Sequence, residues 1–366
     1  MKLRSILNDL SELAHPSLQE SYDNSGLLVG NPEMEINGIL VSLDSTEAIV
    51  DEAIERNCNL IVAHHPIVFK GLKRFNGSNY VERTIIKAIK NDIAIYAIHT
   101  NLDNVLQNGV NQKIAEKLHL NNVQILSKKK EVLTKLVVFV PTSHAENVRE
   151  ALFNSGAGKI SDYDKCSFNS EGIGTFRAGQ ESKPYVGEIG ESHHEKEVKI
   201  EVVLTNYLQQ KAIKAMTEAH PYEEVAYDLY PLLNEAPEIG AGIIGELNNA
   251  LSPSDFLQHV KTNMNATVVR FTQSNHSSIK KVAVCGGSGS FLIKQAMHSG
   301  ADAYVTGDVK YHEFFDSEDR MMICDIGHYE SEQFTIELLV DFLSKKMPNF
   351  AVLFTKTVTN PVNYFY

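Results

Sequence analysis

The stretch "GILVSLDSTEAIVDEAIERNCNLIVAHH", residues 38–65, decides the fold. Its opening apolar run, "GILVSLD", ends in turn chemistry at Asp44-Ser45 and reads as a strand. Residues 46–57 place Ala48, Ile49, Ala53 and Ile54 on one face of a helix. "LIVA" (60–63) is a second apolar run, and His64 and His65 stop it just before Pro66. Strand, helix, strand in this order is a βαβ unit, the building block of a parallel, doubly wound sheet.

Outward from this unit the alternation continues. "YVERTIIKAIKND" (80–92) is helical, "IAIYAIH" (93–99) is a buried strand, and "NGVNQKIAEKLHL" (108–120) is a helix. The last third repeats the order: strands are expected at 281–287, 301–308 and 320–328, and helices at 290–300 and 330–346. When residues 51–65 are laid over 294–308, His65 falls on Asp308. The turn carrying Asp103 then falls near the turn carrying His328 and Glu332. Two related βαβ halves are therefore expected to form one α/β domain. Between them, residues 129–236 run strand–helix and later strand–helix–strand, the order of an inserted α+β ferredoxin-like domain. The Gly- and Pro-rich stretch 233–245 returns the chain to the first domain. The expected organisation is 1–128, 129–236 and 237–366.

Composition narrows the function. The chain has 366 residues, 43% of them hydrophobic, and a formal net charge of −12. General nucleic-acid binding is disfavoured, because phosphate neutralisation supplies most of its affinity. The N-terminal stretch has helical apolar spacing and no signal-peptide pattern, and no run approaches the ~18 apolar residues of a membrane span. Cys58, Cys166, Cys285 and Cys324 are scattered, without a C-x-x-C pair. They read as reduced thiols of a cytoplasmic protein. Any metal must then use nitrogen and oxygen ligands.

Ligands of parallel sheets bind beyond the carboxyl ends of the strands. His64, His65, His99, Asp103, His328 and Glu332 all fall there. Imidazole and carboxylate suit Zn²⁺, Fe²⁺, Mn²⁺ or Ni²⁺. Where a strand breaks, adjacent histidines can flank two ions ~3.5–4 Å apart. A single such histidine is more often a hydrogen-bonded surface residue, but six groups at matching strand ends favour a metal site. "CGGSGS" (285–290) fails the dinucleotide fingerprint and reads equally as a tight turn or an anion cradle. Asp308, Lys310 and His312 in "TGDVKYHE" form another polar group at a strand end, for either a solvated loop or substrate contacts. His220, Glu223 and Glu224 sit around a turn, and the alternation after them favours an edge strand over a second metal site.

"AHHPIVF", "HTNLD" (99–103), "GGSGS", "TGDVKYHE" and "GHYESE" (327–332) occur in the order found in the Nif-three-like dinuclear metal-centre proteins, also called GTP cyclohydrolase 1 type 2 homologs. The chain resembles that family along essentially its whole length. Its middle segment resembles the inserted PII-like or CutA-like domain of the longer bacterial members. The resemblance implies His64, His65, Asp103, His328 and Glu332 as ligands of two divalent ions per chain. It further implies a toroidal homohexamer with the sites facing an interior cavity. The expected activity is a two-metal hydrolase acting on a small nucleotide, with GTP ring opening as the named candidate. His99 or His312 would move protons, and Gly287, Gly289, Asp308 and Lys310 would contact substrate. Phosphoester cleavage, or a metal-binding regulatory or scaffold protein without turnover, remain alternatives.

Overall fold

The computed structural model describes residues 1–365, which divide into two compact units, 1–127 with 238–365 and 128–237. The first unit is built on two sheets. In one, the strands Ile39–Ser42, Leu60–Ala63 and Ala94–Ala97 lie parallel and adjacent. Gly26–Val29 flanks them antiparallel and Val352–Phe354 flanks them parallel. All three central strands are fully buried, as expected of parallel strands covered on both faces. In the other sheet, Ile279–Ser288, Ala303–Gly307 and Met322–Asp325 are parallel neighbours. Arg270–Phe271 and the long strand Gly240–Leu251 border them antiparallel. Residues 240–245, expected as part of a connecting loop, are thus the start of a strand.

One hydrophobic core joins the sheets. It takes Val41, Leu60, Val62 and Tyr96 from the first, Val282, Val284, Val305 and Cys324 from the second, and helix residues such as Ile6, Ile114 and Leu339. The outer face of the first sheet is sealed by the helices Glu47–Glu55 and Tyr80–Lys90, through Ile49, Ala53, Ile85 and Ala88. Thr46 and Asn79 cap these helices by accepting from the Ile49 and Glu82 amides, which satisfies donors that a helix start leaves unpaired. The register aligns Ser42 with Ala63 and Ala63 with Ala97. Three strands therefore end level, and the polar residues that follow them share one rim.

The second unit is a four-stranded antiparallel sheet in the order Phe168–Arg177, Ser192–Thr205, Leu133–Pro141, Tyr227–Leu232. The helices Ala145–Asn154 and Gln209–Ala219 cover one face, burying Leu136, Val138, Val148, Ile200, Val202 and Met216. Tyr227–Leu232 is an edge strand, and the buried His220 has Nε2 3.0 Å from the carbonyl of Phe139 on the neighbouring strand Leu133–Pro141.

Candidate metal centre

His64 and His65 leave the strand Leu60–Ala63 in opposite senses, one toward each neighbouring strand. The His64 ring is fully buried, and its Nδ1–H donates to the Ile98 carbonyl at 2.8 Å. The His65 Nδ1–H donates instead to Asp44, just past the strand Ile39–Ser42, at 2.7 Å. From the second sheet, His328 Nδ1 meets Asp308 at 2.7 Å. His99 Nδ1 meets Asp23 at 2.8 Å. Four imidazoles thus have Nδ1 held by an oxygen, which fixes the ring and turns Nε2 to the remaining side, the usual support of a metal-ligating histidine.

Three of these Nε2 atoms, those of His64, His65 and His328, converge on Glu332, which is buried on the short helix His328–Glu332. Glu332 Oε2 lies 2.9 Å from His65 Nε2 and 3.1 Å from His328 Nε2, and these two nitrogens are 3.2 Å apart. Its other oxygen, Oε1, lies 3.7 Å from His64 Nε2, which in turn is 3.7 Å from Asp103 Oδ1. Two donor triads result, His65–His328–Glu332 and His64–Asp103–Glu332, with Glu332 common to both. A third grouping joins His64, His65 and His99.

The donor set fits divalent cations. His64 Nε2 and Asp103 Oδ1 are buried without a hydrogen-bond partner, a costly state that a cation would relieve. The spacings around Glu332 Oε2 are close to the ~3.3 Å between neighbouring ligands of a tetrahedral Zn²⁺ with bonds of ~2.05 Å. Electrostatics agree. Burial works against charge on Glu332, but the three histidines hold its carboxyl well below the usual range. Burial likewise opposes charging of His65 and His328, and their carboxylate partners override it, raising them to about 9 and about 11. Burial, and then the Glu332 charge, push Asp103 up to about 7.

The substrate contacts expected from sequence fare differently. The Gly287 amide donates to Ser331 Oγ, the Gly289 amide to Thr306 Oγ1 and the Gly286 amide to Asn111. Three amides of the glycine turn are thus engaged inside the protein, which weighs against an anion cradle. Its glycines serve packing. Gly287 has φ +63°, and a Cβ there would run into Glu332 Oε1. Asp308 uses one oxygen, Oδ2, to accept from both His328 and Ser288, and the residue lines the neighbouring cavity of about 540 Å³. His312 stacks beside Phe315 on the turn Tyr311–Ser317, and Lys310 caps that turn. Neither lines the cavities beside the cluster. His99 does, in a cavity of about 600 Å³ whose wall also includes His65, Asp103 and Glu332.

Asp44 and Asp23 were missed in the sequence. Asp44 was legible from the strand-end rule alone. Asp23 lies in "SYDNSG" (21–26), with no periodic or metal-like signal around it. It accepts from His99, from the Thr100 amide and hydroxyl, and from Ser25. Burial alone would raise it, yet these bonds keep it strongly acidic.

Fold and site together define a mixed α/β protein with a cluster of nitrogen and oxygen donors suited to metal. A family model described as Duf34/NIF3 (NGG1p interacting factor 3) matches residues 1–361. The chain is 41% identical over 353 residues to a Halalkalibacterium halodurans protein and 40% identical over 350 residues to one from Bacillus subtilis. Both are named GTP cyclohydrolase 1 type 2 homolog, and the matches cover 95% and 93% of each chain, respectively. A crystal structure of a Bacillus cereus protein related to NIF3 superposes with a TM-score of 0.87 at 39% identity, covering 100% of this chain and 99% of that one. The chain belongs to the Duf34/NIF3 family.

Proposed function

We propose that the protein is a two-metal hydrolase acting on a nucleotide, with GTP ring opening as the leading candidate. The observation that carries this reading is Glu332, whose two oxygens each face a different set of donors. His64, Asp103 and Glu332 would hold one divalent ion, and His65, His328 and Glu332 the other. Zn²⁺ suits the donors best, with Fe²⁺, Mn²⁺ or Ni²⁺ as substitutes. Such ions would supply Lewis acidity and an activated water at neutral pH. His99 is the proton carrier, because Asp23 fixes Nδ1–H and leaves the other ring nitrogen free to accept. Tyr22, Phe69, Tyr80 and Phe291, all exposed, stand around the same cavity and offer aromatic faces to a purine.

The names of the relatives support a nucleotide substrate, and the spent amides of the glycine turn weigh against it. That second observation favours the alternative of a metal-binding regulatory or scaffold protein; a phosphoesterase would instead draw its positive partner from the metal ions. Turnover decides. Protein reconstituted with Zn²⁺, Mn²⁺ or Fe²⁺ is expected to open GTP, while chelated protein and Glu332→Ala stay inert. Metal-loaded protein that leaves GTP and a phosphoester panel untouched would establish the non-enzymatic reading.

The finer architecture belongs to the same proposal. The two three-strand parallel sets, each ending in metal-facing residues, support two related halves. The β–α–β–β–α–β order of 129–236 supports an inserted ferredoxin-like, PII/CutA-like domain between 1–128 and 237–366. A cytoplasmic homohexamer completes the reading. Among the described residues no helix is long and apolar enough to cross a membrane.

A further inference from the structure

The unit 128–237 has a cavity of its own, about 650 Å³, on the sheet face that its helices leave uncovered. Phe139, Phe176, Tyr185 and Tyr222 line it, with Phe176 and Tyr185 each about 6 Å from the Tyr222 ring. Glu197 lies at its base and is only 8% exposed. Its Oε1 accepts from the Tyr222 hydroxyl at 3.0 Å. Its Oε2 occupies the space that a side chain at residue 174 would fill, which is why that residue is glycine.

No cation of the described residues is paired with Glu197. Lys199, two residues along the same strand face, turns away to Glu201. The remaining charges on the wall are mostly acidic: Glu171, Glu223 and Glu224 against Arg177 and Lys199. A nearly buried carboxylate with one neutral donor is expensive unless a cation completes it. Aromatic faces around a carboxylate are the surroundings that bind alkylammonium and guanidinium groups. The volume suits a small molecule rather than a bare ion.

We propose that this cavity binds a small organic cation, an amine or guanidine on an apolar body, with Glu197 as counter-ion and the Tyr222, Phe176 and Tyr185 rings around it. The site lies wholly within residues 139–226 and uses none of the metal-centre residues.

Calorimetric titration of the full-length, metal-loaded protein with benzylammonium chloride tests this, with benzyl alcohol as the neutral counterpart of the same shape. Saturable binding of the ammonium and none of the alcohol is expected. Glu197→Gln should weaken it at least tenfold. Gly174→Ala keeps the charge but displaces the carboxylate, so it should weaken binding as well. Metal content and circular dichroism should stay unchanged in both variants. Equal binding of the alcohol, or undiminished affinity in folded Glu197→Gln, overturns the proposal. So does a wild type that binds neither probe at millimolar concentration while Glu197→Gln alters its sedimentation, which would assign the cavity to a second copy of the chain.

Discussion

At the scale of single residues, the centre rests on how two adjacent histidines are divided. His64 is held by the backbone of one neighbouring strand and His65 by Asp44 beyond the other, so each reaches a different oxygen of Glu332. This division predicts stoichiometry. Wild type should hold two ions per chain. His64→Ala and His65→Ala should each lose mainly one, and Glu332→Ala should weaken both. Elemental analysis of the folded variants measures it, and two retained ions in both histidine variants would refute the division. Gly287 sharpens the test. Its positive φ and its contact with Glu332 leave no room for a Cβ. Gly287→Ala should therefore reduce metal content, whereas a phosphate cradle would instead predict loss of nucleotide binding with metal intact. The clustered histidines and carboxylates were legible because they follow buried apolar runs. Their supports were less so. Asp23 reaches His99 across 76 residues and Asn111 reaches Gly286 across 175, and local patterning carries no record of such pairings.

At the scale of elements, the sequence read well where burial was uniform. The strands Ile39–Ser42, Leu60–Ala63 and Ala94–Ala97 are buried at every position, and unbroken apolar runs announce them. The expected helix 330–346 is instead two helices, His328–Glu332 and Thr335–Lys346. The break separates the turn carrying His328 and Glu332 from the part that packs Leu339 and Leu343 into the core. The C-terminal segment held another surprise. Glu52 on the helix Glu47–Glu55 accepts from the Thr355 hydroxyl, the Lys356 and Thr357 amides and Arg56. Farther along, Thr359 donates to Asp44, the support of His65. Burial opposes charge on Glu52, but these donors lower it from 4.5 to about 2. A carboxyl depressed in the fold stabilises above its unfolded value and loses that contribution as pH falls through the folded one. Hydrogen exchange at residues 355–357 should thus quicken as pH drops from 4.5 toward about 2, after correction for intrinsic rates. Glu52→Gln should show that loosening already at neutral pH, with about 2 kcal/mol less stability to urea, the scale of a hydrogen-bonded charge. An unchanged exchange pattern in that variant would show that the strand Val352–Phe354 alone holds the segment.

At the scale of the whole molecule, charge and connectivity bear on function. The net charge is −12, and the 600 Å³ cavity beside the candidate metal centre has no lysine or arginine in its wall. The neighbouring cavity has Arg270, already paired with buried Asp325 at 2.9 Å. A phosphate-bearing ligand would therefore depend on the metal ions for its positive partner. Connectivity leads to a deletion test. Every donor of the centre lies outside 128–237, and the Ala236 amide donates to the Lys129 carbonyl at 2.9 Å. The two ends of that unit are thus side by side, as an insertion requires. Joining Ser127 to Glu238 through a short Gly/Ser linker replaces a long excursion by a short one and lowers the loop-closure entropy. The flanking strands Leu120–Lys128 and Gly240–Leu251 are neighbours in one sheet, so the shortened connection joins elements that already pair. The deletion variant should fold with a cooperative transition and bind metal at the wild-type stoichiometry. A folded variant that has lost metal would mean that the inserted unit contributes to the centre. A variant that fails to fold would mean that the two-sheet core, despite its continuous hydrophobic interior, depends on the insert for its stability.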